Sequence, residues 1–474
     1  MLFNSLSFLV FFPIVVLVYF LWPRKTRWVW LLAASYYFYM CWNARYVLLI
    51  ATSTVVTYAC ALLTERVQGR GGRRLVMLAG LLVNLGILGF FKYYGFFGDL
   101  LTRALGAVGV RLALPQIDVL LPVGISFYTF QALGYMLDVY RGEIRAERNL
   151  LRYALFVSFF PQLVAGPIER SKNLLHQVNE THEFDMQRAV SGLYVMLLGF
   201  FEKLVIADRA SLYVSAVYGQ WQQASGWQIA LATVVFAFQI YGDFSGYSHI
   251  AIGAARVLGF ELMDNFRQPY FASSVRDFWR RWHISLSTWF RDYLYIPLGG
   301  SRVSPLRRAL NVMITFTVSG LWHGASLNYV AWGMLNGAMQ VIEGFLPKPQ
   351  KRGALRRLGR MLITFVLVDF AFLFFRASSL GAALSMLRRI VLSFGGAGLA
   401  TDFSVWQALA LAVAIALLLA LDALHESGRT LAGAHAVLPP LAQGVLSLLA
   451  VLLIVVFGIW GPGYDAQAFI YFQF

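Results

Sequence analysis

Residues 2–22 read LFNSLSFLVFFPIVVLVYFLW, and Pro23-Arg24-Lys25-Thr26-Arg27 follow at once. The run carries no charged residue, and its length matches the ~20 helical residues needed to cross a hydrocarbon core. No basic residue precedes it and no small-residue cleavage site follows it. It therefore reads as a retained transmembrane helix and not as a signal peptide. The cluster of Arg24, Lys25 and Arg27 puts the first loop in the cytoplasm and the N-terminus outside, because bases are retained on the cytoplasmic side.

Working outward, the next apolar blocks cover roughly 28–42 and 46–64, parted only by Asn43-Ala44-Arg45. A second basic break runs from Arg66 to Arg74 and falls on the cytoplasmic side by parity. Spans at roughly 75–93 and 117–138 then lead to the basic loop Arg141–Arg152, which falls on that side again. Further apolar runs lie near 152–166, 187–207, 227–255, 308–345, 361–375, 404–424 and 441–460. Together these predict about eleven spans in one polytopic domain covering residues 1–474. The segment Phe159–Pro167 is short and holds two prolines, so it reads as re-entrant backbone, which survives at depth only inside protein or beside water.

Composition agrees. Apolar residues make up 59% of the chain and charged residues 13%, about half the fraction usual in soluble domains. Mean hydropathy is +0.64. The net charge of +16 falls in short breaks between apolar blocks, which is the positive-inside pattern and not a nucleic-acid surface. Cys41 and Cys60 form neither a disulfide framework nor a metal spacing. No P-loop, dinucleotide fingerprint, nucleophile elbow or zinc spacing occurs, so no metal and no resident cofactor are expected.

Three stretches carry polar chemistry into this apolar chain. In residues 275–293, winding at 100° per residue puts Phe278, Trp282, Leu286, Trp289 and Tyr293 on one face. Arg276, Arg280, His283, Ser287 and Arg291 share the other. This predicts an amphipathic helix at the cytoplasmic interface, ending near Pro297–Gly300. Its arginines either meet anionic lipid head groups or dock a phosphate-bearing acyl donor, which the planar guanidinium fork suits.

The second stretch is Ser319–Ser326, with His323 inside an apolar helix that begins near Arg308 and beside the small-residue pair Gly320 and Gly324. An imidazole in such surroundings is neutral and can serve as general base for a hydroxyl, or it is a structural histidine bonded to a carbonyl. The third is Tyr241–His249, where Asp243, Ser245 and two glycines interrupt an apolar helix. They line a polar cavity or let two helices interlock. Glu202-Lys203 reads as an adjacent opposite-sign pair with a structural role near a span boundary, and His176, His182, His425 and His435 as solvated loop histidines.

Taken in order, Leu121–Gln131, Ala165–Arg170, Tyr241–Ile252, Phe278–Gly300 and Leu321–Gly324 resemble the membrane-bound O-acyltransferase (MBOAT) family. The likeness is to its alginate O-acetylation branch and, further off, to the branch that transfers D-alanine in teichoic acid modification. The opening run and Phe469–Phe474 resemble the first branch too. One position departs from the pattern: after Phe244–Ser248 the family often has aspartate, and this chain has His249.

The resemblance implies a ring of tilted transmembrane helices around a funnel or tunnel, with Asp243, Ser245 and Trp322 as candidate lining residues. It makes His323 the family histidine, acting as general base or as an acyl-accepting residue, and His283 a second catalytic position, with Arg276, Arg280 and Arg291 binding the donor near its entrance. The donor it implies is a cytoplasmic acetyl thioester, either acetyl-CoA or an acyl carrier. The implied setting is the inner membrane of a bacterium, among membrane lipid, beside a polysaccharide synthesis and export complex. An extracytoplasmic SGNH-type acetyltransferase or relay protein is the implied partner. Composition alone also fits a polysaccharide or lipid transporter, though such folds carry repeated halves that this sequence lacks. An acyltransferase acting directly on a lipid or peptide is a further alternative.

Overall fold

A computed structural model describes residues 1–110, 115, 121–164, 166–347, 353–396, 398–429, 433 and 437–459. Helix is the regular structure throughout, with no strand among the described residues, as the sequence predicts. Seven of the helices are long and apolar enough to cross a membrane: Ala44–Arg66, Arg70–Ala107, Met186–Gly219, Gly226–Leu258, Ala354–Arg376, Val405–Glu426 and Pro440–Phe457. Leu6–Leu21 is a shorter apolar helix of 16 residues. The predicted count of about eleven adds runs such as Arg27–Met40, whose 14 residues rise only ~21 Å. Phe469–Phe474, His435 and Ala165 lie outside the described residues.

The chain divides into two compact units. The first comprises Met1–Ala189, Ala255–Met263 and Gly324–Ser326, and the second Val190–Ala254, Asp264–His323 and the residues from Leu327 on. Two of the divisions fall inside the long helices that begin at Met186 and Gly226, so no flexible linker marks them.

In the first unit, Arg27 is buried, not part of an open basic loop. Its guanidinium donates to the carbonyls of Phe20, Trp22 and His182 at 2.9, 3.1 and 2.8 Å. Two of those carbonyls end the first helix, where acceptors have no partner within the helix itself. The Leu150–Ser158 helix breaks at Phe159, and Phe160–Leu163 forms a single buried turn. Phe160 N–H donates to Ser35 Oγ at 3.1 Å and Gln162 Nε2 to the Phe156 carbonyl at 2.9 Å, so the broken backbone is satisfied inside protein.

In the second unit, Phe201–Ala207 is a π-helical stretch within the helix that starts at Met186. The wider winding lets neighbouring Glu202 and Lys203 face different partners. Lys203 Nζ binds Asp243 at 2.5 Å and Asp208 at 2.8 Å. Glu202 Oε2 accepts from Ser245 Oγ at 2.9 Å and lies 2.8 Å from His249 Nδ1. The two neighbours take different partners: each pairs across to the Gly226–Leu258 helix or along its own. Gly199 and Gly246 let these helices touch, since a β-carbon at Gly246 would come within 2.7 Å of the Gly199 carbonyl. Asp243 and Ser245 are taken up in this seam.

Residues 305–345 form a hairpin of two helices, Pro305–His323 and Leu327–Phe345. A β-carbon at Gly320 would overlap the Tyr329 carbonyl, and one at Gly333 the Phe316 carbonyl. Gly320 therefore admits the second helix closely, at Gly333. His323 ends its helix and does not lie within a continuous run, because Gly324 begins the turn between the two.

The predicted helix over 275–293 is also corrected. It comes as Val275–Arg281 and Ile284–Phe290, followed by a π-helical turn over Arg291–Tyr295. The break lies at His283, whose backbone is left-handed at φ 45°, ψ 53°. The helical period is correct on each side. What overrides it is a neighbouring segment: Arg267 N–H donates to the Arg281 carbonyl and Ile284 N–H to the Asn265 carbonyl, both at 2.9 Å.

Candidate active site

His323 is 3% exposed, at the C-terminal end of its helix. Its Nδ1 lies 2.7 Å from the Ser319 carbonyl oxygen one turn back. A carbonyl only accepts, so Nδ1 carries the hydrogen and the neutral ring keeps its lone pair on Nε2. Aromatic rings wall the imidazole: Trp322, Trp332 and Phe375 have centroids 5.0, 4.8 and 5.6 Å away. These rings screen the imidazole from water.

The His283 ring stands 6.3 Å from that of His323, centroid to centroid, with Phe244 edge-on to it at 4.4 Å and Trp322 at 6.0 Å. It is fully buried. Burial, and then the nearby His323, hold its pKa well below the ordinary imidazole range. A left-handed backbone costs a non-glycine residue about 1–2 kcal/mol. Strain of this kind persists where the surroundings over-determine it, as they do at functional sites.

Beside this pair lies a cavity of about 470 Å³, a size ordinary for small-molecule sites. Arg276, Arg280, Arg291 and Arg308 line it, and no acidic residue does. The first three are exposed and Arg308 half-buried, whereas the lining residues Trp279, Thr315 and Ser319 are buried. The cavity therefore runs from a cationic mouth to an apolar floor. That floor adjoins the histidines by two routes. Ser319 supplies the carbonyl that binds His323, and Trp279 packs at 5.6 Å on Trp332, which packs on His323. Trp279 is itself fixed by a 3.1 Å hydrogen bond from Nε1 to Asn336 Oδ1.

The structure thus brings Arg276, Arg280 and Arg291 together and turns His283 away from them, against His323. The reason is the break at His283, which ends the shared helical face. Arg281, one residue from Arg280, points elsewhere and pairs with Asp277 at 3.0 Å and Glu426 at 2.7 Å. A second, much smaller cavity of about 20 Å³ touches Glu202, Tyr241, His249, Asp422 and His425. Tyr241 donates to Asp422 there at 3.0 Å. His425 belongs to the Val405–Glu426 helix, which corrects its reading as a loop histidine.

A family model described as MBOAT, membrane-bound O-acyltransferase, matches residues 143–380, a region that includes both histidines and all four arginines. The chain is 41% identical over 401 residues to the probable alginate O-acetylase AlgI of Pseudomonas aeruginosa, covering 83% of this chain and 75% of that one. This chain belongs to the membrane-bound O-acyltransferase family. Two other relatives widen the picture. The peptidoglycan O-acetyltransferase of Helicobacter pylori is 35% identical over 429 residues, 82% of this chain and 80% of its own. The teichoic acid D-alanyltransferase of Bacillus subtilis is 26% identical over 268 residues, 53% and 68% of the two chains. The protein is an O-acyltransferase and, with its membrane-length helices, a multi-pass membrane protein. The transporter reading falls with that membership.

Sequence reasoning missed three contributors to this candidate site. Arg308 carries a signal, a base near the start of the helix that ends in His323, but by sequence alone it marks only a boundary. Asn336 and Asn265 gave none, since a lone asparagine has no period and its meaning comes from what folding places beside it.

Proposed function

We propose that this O-acyltransferase moves an acetyl group from a cytoplasmic thioester, acetyl-CoA or an acyl carrier, to a hydroxyl acceptor at His323, for O-acetylation of an exported polysaccharide. The single observation carrying this is the continuity from the arginine mouth, over Trp279 and Ser319, to His323. Guanidinium groups suit the donor's phosphates, and an apolar floor suits the thioester arm.

In this mechanism His323 Nε2 accepts the proton of the acceptor hydroxyl as its oxygen attacks the thioester carbon. The tetrahedral intermediate then collapses, the carbon–sulfur bond breaks, and the thiolate leaves with the proton that His323 returns. His283, neutral and 6.3 Å from His323, orients the acceptor or polarises the thioester carbonyl. The residues need no metal for these steps.

The polymer itself is too large and too hydrated to thread to a histidine 3% exposed. The direct acceptor is therefore a small hydroxyl, on a relay molecule or on the flexible segment of an extracytoplasmic SGNH-type partner in a polysaccharide synthesis and export complex. The names of the relatives, alginate O-acetylase and peptidoglycan O-acetyltransferase, support a polysaccharide as the final acceptor, and the proposed location is a bacterial inner membrane. The test is turnover of acetyl-CoA by purified protein in detergent. Turnover lost in His323→Ala supports the reading, and wild-type protein inert toward acetyl thioesters overturns it.

A further inference from the structure

The structure assigns Asn265 as a positioning residue for the histidine pair: its side-chain amide holds the His283 turn and fixes which ring nitrogen of His283 carries the hydrogen. The assignment rests on the reading of His283 and His323 given above.

Asn265 meets the turn at several points. Its main-chain carbonyl accepts from Ile284 N–H at 2.9 Å. Its Oδ1 accepts from Ser285 N–H at 3.3 Å and Ser285 Oγ at 2.9 Å, and lies 3.2 Å from His283 Nδ1. A backbone N–H only donates, so the amide atom facing Ser285 is the oxygen and not the nitrogen. His283 Nδ1 is therefore the protonated nitrogen, and the neutral ring keeps its lone pair on Nε2. The other end of the amide is fixed as well, because Nδ2 donates to Ser248 Oγ at 3.1 Å. Asn265, Ser248, His283 and Ser285 are all buried.

The backbone pairing of Arg267 with Arg281 and of Ile284 with Asn265 would bend the chain by itself. It would leave the ring's tautomer and rotation undetermined. The amide oxygen reaches the imidazole at Nδ1. Phe244, Trp322 and the titratable His323 also pack on the ring.

The experiment compares wild type, Asn265→Asp and Asn265→Ala, purified in detergent, by acetyl-CoA turnover against pH, by thermal unfolding, and by ¹⁵N NMR of the histidine rings. Asn265→Asp keeps the oxygen that accepts from Ser285 and His283, gives up the N–H donated to Ser248, and adds a charge beside Nδ1, which favours imidazolium. It should unfold with wild type and keep KM, while the acidic limb of kcat moves up by about one pH unit or more. Asn265→Ala should lose roughly ten- to a hundredfold in kcat with KM held. An Asp variant with the wild-type acidic limb, or one that fails to fold, overturns the assignment. So does an Ala variant with wild-type kcat. If the Ala variant does not fold, the Asp variant decides. The NMR arm is independent of activity: His283, identified by the signal missing in His283→Gln, should be protonated at Nδ1 in wild type. An Nε2-protonated ring would overturn the assignment even in a preparation inert toward acetyl-CoA.

Discussion

The Ser319 carbonyl oxygen accepts from His323 Nδ1 at 2.7 Å, and Ser319 is also part of the floor of the arginine-rimmed cavity. One residue thus both lines the cavity and holds the His323 imidazole. The same helical turn that closes the cavity sets the imidazole tautomer, so a donor seated in the cavity meets a ring whose lone pair is already on Nε2. Pre-organisation of this kind spares the site a rearrangement during the reaction.

Replacing His323 by alanine should lower acetyl-CoA turnover by roughly 10²–10⁴-fold, the usual worth of a positioned general base. KM should change little, because the arginines are untouched. His283→Ala should be milder if His283 only assists. Steady-state kinetics on the two variants check this, and equal losses would argue for a joint role.

The four arginines should behave differently from the histidines. A hydrogen bond to a charged group is worth about 1.5–3 kcal/mol, so Arg280→Ala or Arg308→Ala should raise KM for acetyl-CoA by roughly tenfold or less, given their partial exposure. kcat should hold, and the penalty should shrink in high salt. A fall in protein level that accounts for all lost activity would show that they anchor lipid instead.

The membrane character of the chain was legible in the sequence because it rests on run length and charge placement, which are local. His323 was legible for a related reason: a histidine in an apolar stretch has few bland explanations. The break at His283 was not. The periodicity of Phe278, Trp282, Leu286 and Trp289 holds on either side of it, and the asparagine that imposes it is 18 residues away. The partners of Glu202 and Lys203 were not legible either, because the π-helical winding turns these neighbours toward different residues.

Lys203 gives a prediction about stability. It is 1% exposed and offsets both Asp208 and Asp243. Lys203→Met would leave two buried carboxylates without their cation, a change that costs about 3–5 kcal/mol. The variant should melt well below wild type or fail to accumulate. Adding Asp208→Asn and Asp243→Asn should restore much of the loss, which fluorescence-detected chromatography can measure.

Topology offers a check independent of chemistry. Reporter fusions after Arg27, Arg70 and Arg148 should all report cytoplasm, because their basic segments share one side. Arg148 is exposed and bonded to Glu65 at 2.5 Å, which suits a surface loop. A periplasmic signal from any of the three would break the parity that underlies the orientation.

The final prediction is that the protein does not acetylate a polymer unaided. Its imidazole pair lies behind Trp322, Trp332 and Phe375, and no described part of the chain forms a soluble domain that could carry an acetyl group onward. A relay with a small hydroxyl satisfies both constraints: the hydroxyl reaches His323, and the ester it forms travels to the sugar. The measurement is reconstitution in vesicles, with acetyl-CoA inside and polymer outside. Vesicles with this protein alone should leave the polymer unmodified, whatever acetyl-CoA they consume. Adding an extracytoplasmic SGNH-type partner should start polymer acetylation, and His323→Ala should abolish it. Efficient polymer acetylation by this chain alone would refute the relay, because the polymer would then have reached the buried imidazole directly.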